Sequence, residues 1–199
     1  MKKYLTILII FIAYNHSFSQ EKLVKDIDFD GVKDTAYVDT TGVIVCQLST
    51  NKFKKIKSKA VETYNDNTEI ISTKNGFSFK NNWMRAGYDN QFRYNKTLKK
   101  VQLIGMSRYE FGNAANDGSG NSSVNLLTGD YLGDWNYFDH LANKEQGELV
   151  KIPTIKTKMP FKQIFLEDFS EQTYFNYSTR CANLFTKHKK IEMKRRSKN

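Results

Sequence analysis

Between Thr35 and Tyr137, apolar residues come in short runs broken every few positions by Asn, Asp and Gly. The runs are rich in Val, Ile, Thr, Tyr and Phe, whose branched or flat side chains suit a pleated surface better than a helix. This pattern predicts strands at Thr35–Asp39, Val43–Ser49, Phe53–Ser58, Thr68–Thr73, Phe77–Asn81, Gln91–Asn95, Val101–Tyr109, Val124–Leu127 and Tyr131–Tyr137. Thr128-Gly129-Asp130 supplies a tight turn, so the last two should form a hairpin. Arg93–Leu98 reads as a second turn joining strands, and Ile164–Phe169 as a further strand. After Ser170 the period changes. Tyr174, Tyr177, Cys181, Leu184, Phe185 and His188 recur at helical spacing on one face. A helix is expected from about Glu171 to Lys190, with Ser170 as N-cap and basic residues in the last turns complementing the dipole. The expected fold is mostly β: a single antiparallel, sandwich-like domain over residues 20–194 with a C-terminal helix, followed by a disordered basic tail at 195–199.

The first nineteen residues have a different character. Lys2 and Lys3 precede the apolar run Leu5–Tyr14, and Ser17-Phe18-Ser19 places small residues three and one before Gln20. This is the layout of a cleaved signal peptide, so the expected location is periplasmic or secreted. The run is shorter than the about 20 apolar residues that cross a bilayer. No later stretch is apolar enough to do so, and no transmembrane segment is expected after cleavage.

Removing the two lysines lowers the net charge from +10 to +8. Much of the excess is local, in Lys52, Lys54, Lys55, Lys57 and Lys59 and in the run from Lys187 to Lys198. Both clusters read first as a solvated face and a frayed tail; the anionic partners open to an exported chain are envelope polymers, phospholipid headgroups or acidic proteins, and the expected address excludes nucleic acid. Cys46 and Cys181 are the two cysteines. An oxidising compartment permits a bridge between them, and two separately buried thiols fit the sequence equally well.

The sharpest motif is Asp26-Ile27-Asp28-Phe29-Asp30-Gly31-Val32-Lys33-Asp34. Oxygen ligands at positions 1, 3 and 5, a turning Gly at 6, a backbone carbonyl at 7 and an acid at 9 match a calcium loop. Calcium takes six to eight hard oxygen ligands, and alternate carboxylates on a tight loop converge on one point. Asp26, Asp28, Asp30, Val32 and Asp34 are therefore the candidate ligands, with calcium in a structural role near the start of the exported chain. Position 12 is Tyr37 where a helix-loop-helix site needs Glu, and the residues after Asp34 read as a strand. The loop resembles the Asp-x-Asp-x-Asp-Gly calcium loops of FG-GAP and VCBS-type repeats. The order of parts is similar to that of small exported β-sandwich proteins with the topology of periplasmic lysozyme inhibitors. The shared parts are the signal peptide, Asp28–Asp34 leading into a strand, and Phe92-Arg93-Tyr94-Asn95 followed by Val101-Gln102-Leu103-Ile104-Gly105. That resemblance implies a non-enzymatic, calcium-bound binding protein.

The long polar segment Gly112–Ser123 is the other candidate. Asn113, Asn116 and Asp117, with Tyr131 and Trp135 of the next hairpin as a stacking surface, would form a site for a protein or an envelope glycan. The same loop also reads as a connection held by Asx-turns. Catalysis is not expected. After export the chain keeps two histidines, His140 and His188, and has no metalloprotease helix, nucleophile elbow or phosphate loop. The leading expectation is a calcium-stabilised binding module for a protein or envelope glycan. One alternative is an envelope structural protein that holds anionic polymers through its basic tail. The other is a glycan hydrolase using Asp130, Asp134 and Asp139.

Overall fold

The computed structural model describes residues 22–197. The expected signal peptide and cleavage point lie outside the described residues.

Twelve strands are present among the described residues: β1 (Leu23–Lys25), β2 (Asp34–Val38), β3 (Val43–Gln47), β4 (Lys55–Ala60), β5 (Thr68–Thr73), β6 (Gly76–Asn82), β7 (Ala86–Asn95), β8 (Lys100–Glu110), β9 (Gly120–Asn125), β10 (Asp130–Asp139), β11 (Glu148–Lys151) and β12 (Ile155–Lys158). Pairing is antiparallel throughout. The first four strands form a small sheet in the order β1-β2-β3-β4. The other eight form a large meander from β5 to β10, with β11 and β12 sharing the outer edge of β10. Short turns explain the sequential order. At the expected β9–β10 hairpin, the Asn125 side chain accepts from the amides of Leu127 and Thr128, and Gly129 N–H returns to Asn125 O at 2.7 Å.

One face of the large sheet is covered and apolar, and the other is open and polar. Phe77, Phe79, Tyr88, Phe92, Leu103, Met106, Val124, Tyr131, Trp135 and Tyr137 belong to the covered face, and each is at most 2 % exposed. The small sheet closes the β5 end, where the Lys25 ammonium bonds Ser72 Oγ and the carbonyls of Thr73 and Gly76. Phe169 packs edge-on against Phe79 and Phe92 in the middle. The C-terminal helix, Glu171–Arg196, crosses the rest diagonally. Tyr174 stacks on Tyr88 of β7 with centroids 3.8 Å apart, Tyr177 bonds Ser122 of β9 at 2.8 Å, and Phe185 meets Trp135 of β10. The result is the expected antiparallel, sandwich-like β domain with a docked C-terminal helix.

Three local expectations are corrected. Ile164–Phe169 is not a strand; it makes one bridge, Gln102 to Phe165, and then a 3-10 turn over Leu166–Asp168. Its apolar residues are there to plug the space between the sheets, and Leu166 and Phe169 are fully buried. The helix does not stop near Lys190 but runs to Arg196, because Glu192 is held by Arg195 and Arg196 reaches Glu148. Ser170 sits at the N-cap without a side-chain cap bond. The helix start is fixed instead by buried Glu171, which accepts from the amides of Glu62 and Thr63 and from the Thr63 hydroxyl. Cys46 lies in β3 and Cys181 on the helix, both as buried free thiols, so no bridge forms.

Candidate metal centre and ligand surfaces

The aspartate loop leaves β1 and turns back into β2. Phe29 (φ 64°) and Gly31 (φ 91°) take the left-handed backbone that lets the eight residues between β1 and β2 reverse direction, and at Gly31 a side chain would be strained. Three of the carboxylates meet. One ligand oxygen from each of Asp26, Asp28 and Asp34 lies within 4.8 Å of the others. Asp30 and Val32 are not in that group and stand exposed at the loop's tip.

Two of the three acids are tied to the backbone. Asp34, fully buried, accepts from the amides of Ile27 (2.7 Å), Asp28 (3.2 Å) and Ser49 (2.8 Å). Asp26 accepts from Phe29, Asp30 and Gly31. Asp28 differs. It is 3 % exposed, its Oδ2 accepts from the Thr50 hydroxyl at 2.5 Å, and its buried Oδ1 has no partner. Burial pushes the Asp28 carboxyl above the usual range; the Thr50 bond works against this, and the charges of Asp34 and Asp30 add to it. Asp30, on the surface, goes the other way, held low by hydrogen bonds from Ser49 and Val32. The same acids reach β3, where burial first and then Asp34 and Asp28 push the Cys46 thiol up. Such a thiol stays protonated and is not a nucleophile.

A buried carboxylate oxygen without a partner costs free energy unless a proton or a cation meets it. The donor set around it is all hard oxygen, which suits calcium and not a soft transition metal. The residues present therefore fit a calcium ion held by Asp26, Asp28 and Asp34.

The structure places the other candidate residues differently. Tyr131 and Trp135 are 1 % and 2 % exposed beneath the C-terminal helix, so neither ring is a stacking surface for the Asn/Gly loop. Trp135 Nε1–H donates to the Tyr131 hydroxyl at 3.2 Å, and Gly133 between them leaves that contact room. Burial pushes the Tyr131 hydroxyl up to about 12. The Asn/Gly loop meets its own polar needs. Asn113 accepts from the amides of Ala115 and Asp117, Asn116 takes a left-handed turn, and Asp117 accepts from Phe138 N–H and Lys189 Nζ.

The hairpin acids are spoken for as well. Asp130 pairs with Lys158, Asp134 with Lys151 and Thr154, and Asp139 caps Leu141. Asp130 and Asp134, four residues apart on one strand face, are about 13 Å apart along the strand, wider than a glycosidase pair needs.

The open face of the large sheet was not legible as a site in the sequence. Ser78, Asp89, Gln91, Gly105, Ser107 and Ser123, from four adjacent strands, line a trough of about 430 Å³. The register shift at Gln91/Phe92 inserts Ile104 into β8 and bends the sheet there. Burial raises the Asp89 carboxyl, against the hydrogen bond from Ser78 and the charge of Lys80. Each strand gives one or two small polar residues to this surface, so no single segment announces it.

No helix among the described residues is long and apolar enough to cross a membrane. Comparison with known protein families, characterised proteins and solved structures finds no match to this chain.

Proposed function

We propose that this chain is an exported, non-enzymatic binding module, periplasmic or secreted, whose fold is stabilised by one calcium ion and whose ligand is a protein or an envelope glycan. A lysozyme-inhibitor-like role is one form of this reading. The observation that carries it is the Asp28 carboxylate: nearly fully buried, beside two further carboxylates, with one oxygen unpartnered. A cation there would join β1 to β2 and, through the Thr50 hydroxyl on Asp28 and the Ser49 amide on Asp34, to the turn after β3. The role is structural, since the surrounding groups are carboxylates, hydroxyls and backbone amides with no activated nucleophile.

Calorimetric titration of EDTA-treated protein with calcium tests the reading. One ion per chain is expected, with a dissociation constant of about 10⁻⁴–10⁻³ M, as for extracellular calcium modules. Asp28→Asn should remove the binding heat. Affinity should fall with pH as Asp28 takes up a proton, because a ligand carboxylate must be ionised. Absence of binding at millimolar calcium would reduce the loop to a hydrogen-bonded turn.

A further inference from the structure

Lys52, Lys54, Lys55, Lys57 and Lys59 fall within eight residues with no acid among them, and all five are exposed. Lys55, Lys57 and Lys59 alternate with half-buried Ile56 and buried Ser58, so their side chains leave one face of β4. They stand about 7 Å apart in a row roughly 14 Å long. β4 is the edge of the small sheet; the 3-10 turn Leu166–Asp168 packs beside it, and Lys59 N–H bonds Phe169 O.

The turn before β4 is held firmly. Lys52 and Phe53 both take left-handed backbone, Phe53 N–H bonds Leu48 O, and Gln47 Nε2 donates to Phe53 O. Ser49 and Thr50 of the same turn donate to Asp30 and Asp28. Phe53 is 47 % exposed among the lysines.

The contrast with the other basic region is instructive. At the C-terminal helix, Lys189 pairs with Asp117, Arg195 with Glu192 and Arg196 with Glu148, so ion pairs are interspersed with Lys187, Lys190 and Lys194, which make none among the described residues. Among the described residues, none of the five lysines around β4 pairs with a carboxylate. Lysines on an edge strand also guard against edge-to-edge aggregation. That role accounts for β4 but not for Lys52, Lys54 or the exposed ring of Phe53, which lie outside the strand. A row of like charges, offset where Asp39 lies near Lys57 but without an ion pair along it, is relieved by a partner of opposite charge and similar linear form.

We infer that the turn at Lys52–Lys54 and the edge strand β4 form a binding surface for a linear anionic polysaccharide. The lysines meet its acidic groups and Phe53 packs on a sugar face. This deepens the reading of the chain as a binding module and names the partner's chemistry. It does not require the calcium ion.

Binding of dextran sulfate, with uncharged dextran as control, is measured by fluorescence anisotropy at low salt and again at high salt. The wild-type protein should bind dextran sulfate and not dextran, and high salt should weaken the complex, as screening predicts. K55Q/K57Q/K59Q should lose about tenfold in affinity with an unchanged melting temperature, since exposed, unpaired charges contribute little to folding. K187Q/K190Q/K194Q, on the C-terminal helix, should bind as wild type. The inference is overturned if the β4 variant binds normally, if only the helix variant loses affinity, or if the protein binds phosphatidylglycerol vesicles and not dextran sulfate. Failure of the calcium reading would appear separately, as no calcium heat in a protein that still binds dextran sulfate.

Discussion

The aspartate loop and the Asn/Gly loop look alike on paper, since both are short, polar and rich in Asx and Gly, and both follow an extended stretch. Their hydrogen-bond accounts differ. In the Asn/Gly loop, Asn113 and Asp117 spend their oxygens on backbone amides and on Lys189, and no buried polar atom there lacks a partner. In the aspartate loop, Asp26 and Asp34 do the same work, but Asp28 is buried with an oxygen left over. Loop composition does not separate a turn from a site. Between these two loops the difference is a buried carboxylate that the protein itself does not fully satisfy, which costs about 1–3 kcal/mol for a polar group and more for a charge.

The largest effect on this comparison should come from Asp34→Ala. It strands three amides at once, and a loss of about 3 kcal/mol or more is expected in chemical denaturation, with or without calcium. A loss under 1 kcal/mol would mean that the loop is not organised around Asp34.

Asp117→Ala should follow, at about 1–2 kcal/mol, through the Phe138 amide and the Lys189 pair, and calcium should not change the value. The two loops should also differ in pH response. The Asp117 carboxyl is held low: burial opposes this, but the Phe138 amide and Lys189 outweigh it. Its stabilisation is therefore present at neutral pH and is lost as pH falls below the ordinary carboxylate value through the folded one. Asp28 is raised, so without calcium its burden has the opposite sign. It appears as pH rises from the ordinary carboxylate value through the raised one, and acid relieves it. Denaturant midpoints between pH 3 and 7 check both signs. A common sign for the two residues would break the comparison.

The smallest effect should be that of Asn113→Ala, roughly 0.5–1.5 kcal/mol from a lost Asx-turn, with no effect on calcium or dextran sulfate binding. A large effect on either ligand would return the Asn/Gly loop to the list of sites.

Strand positions were largely legible, because alternation across a half-buried sheet is a local signal. The hairpin around Gly129 is legible from its turn residues, and the stripe Tyr174–Tyr177–Cys181 from its helical period, both of them local signals. β1, β11 and β12 escaped notice, being only three or four residues long and rich in lysine and glutamate. The plug Ile164–Phe169 looked like a strand because apolar residues filling a gap and apolar residues in a sheet have the same composition. For the site, the spacing of the aspartates is visible, but not which of them the loop's own amides satisfy, nor that Ser49 and Thr50 of a separate turn bond Asp34 and Asp28. Tyr131 and Trp135 were misplaced for a related reason. Alternation says that one face of a hairpin is apolar, not whether a helix covers it. The trough over β6–β9 and the contrast between paired and unpaired lysines are properties of assembled strands and had no local signature.

The most direct test of the calcium account is a pair of melting curves, in EDTA and in excess calcium, for wild-type protein and Asp28→Asn. Without calcium the variant should melt at or above the wild type, because it removes an unpartnered buried charge and keeps a group able to bond Thr50. With calcium at ten times its dissociation constant the wild type should gain about 1.4 kcal/mol, or roughly 3–5 °C, and the variant should gain nothing, so the order reverses. Two curves that respond to calcium equally, or not at all, would contradict a cation in the aspartate loop.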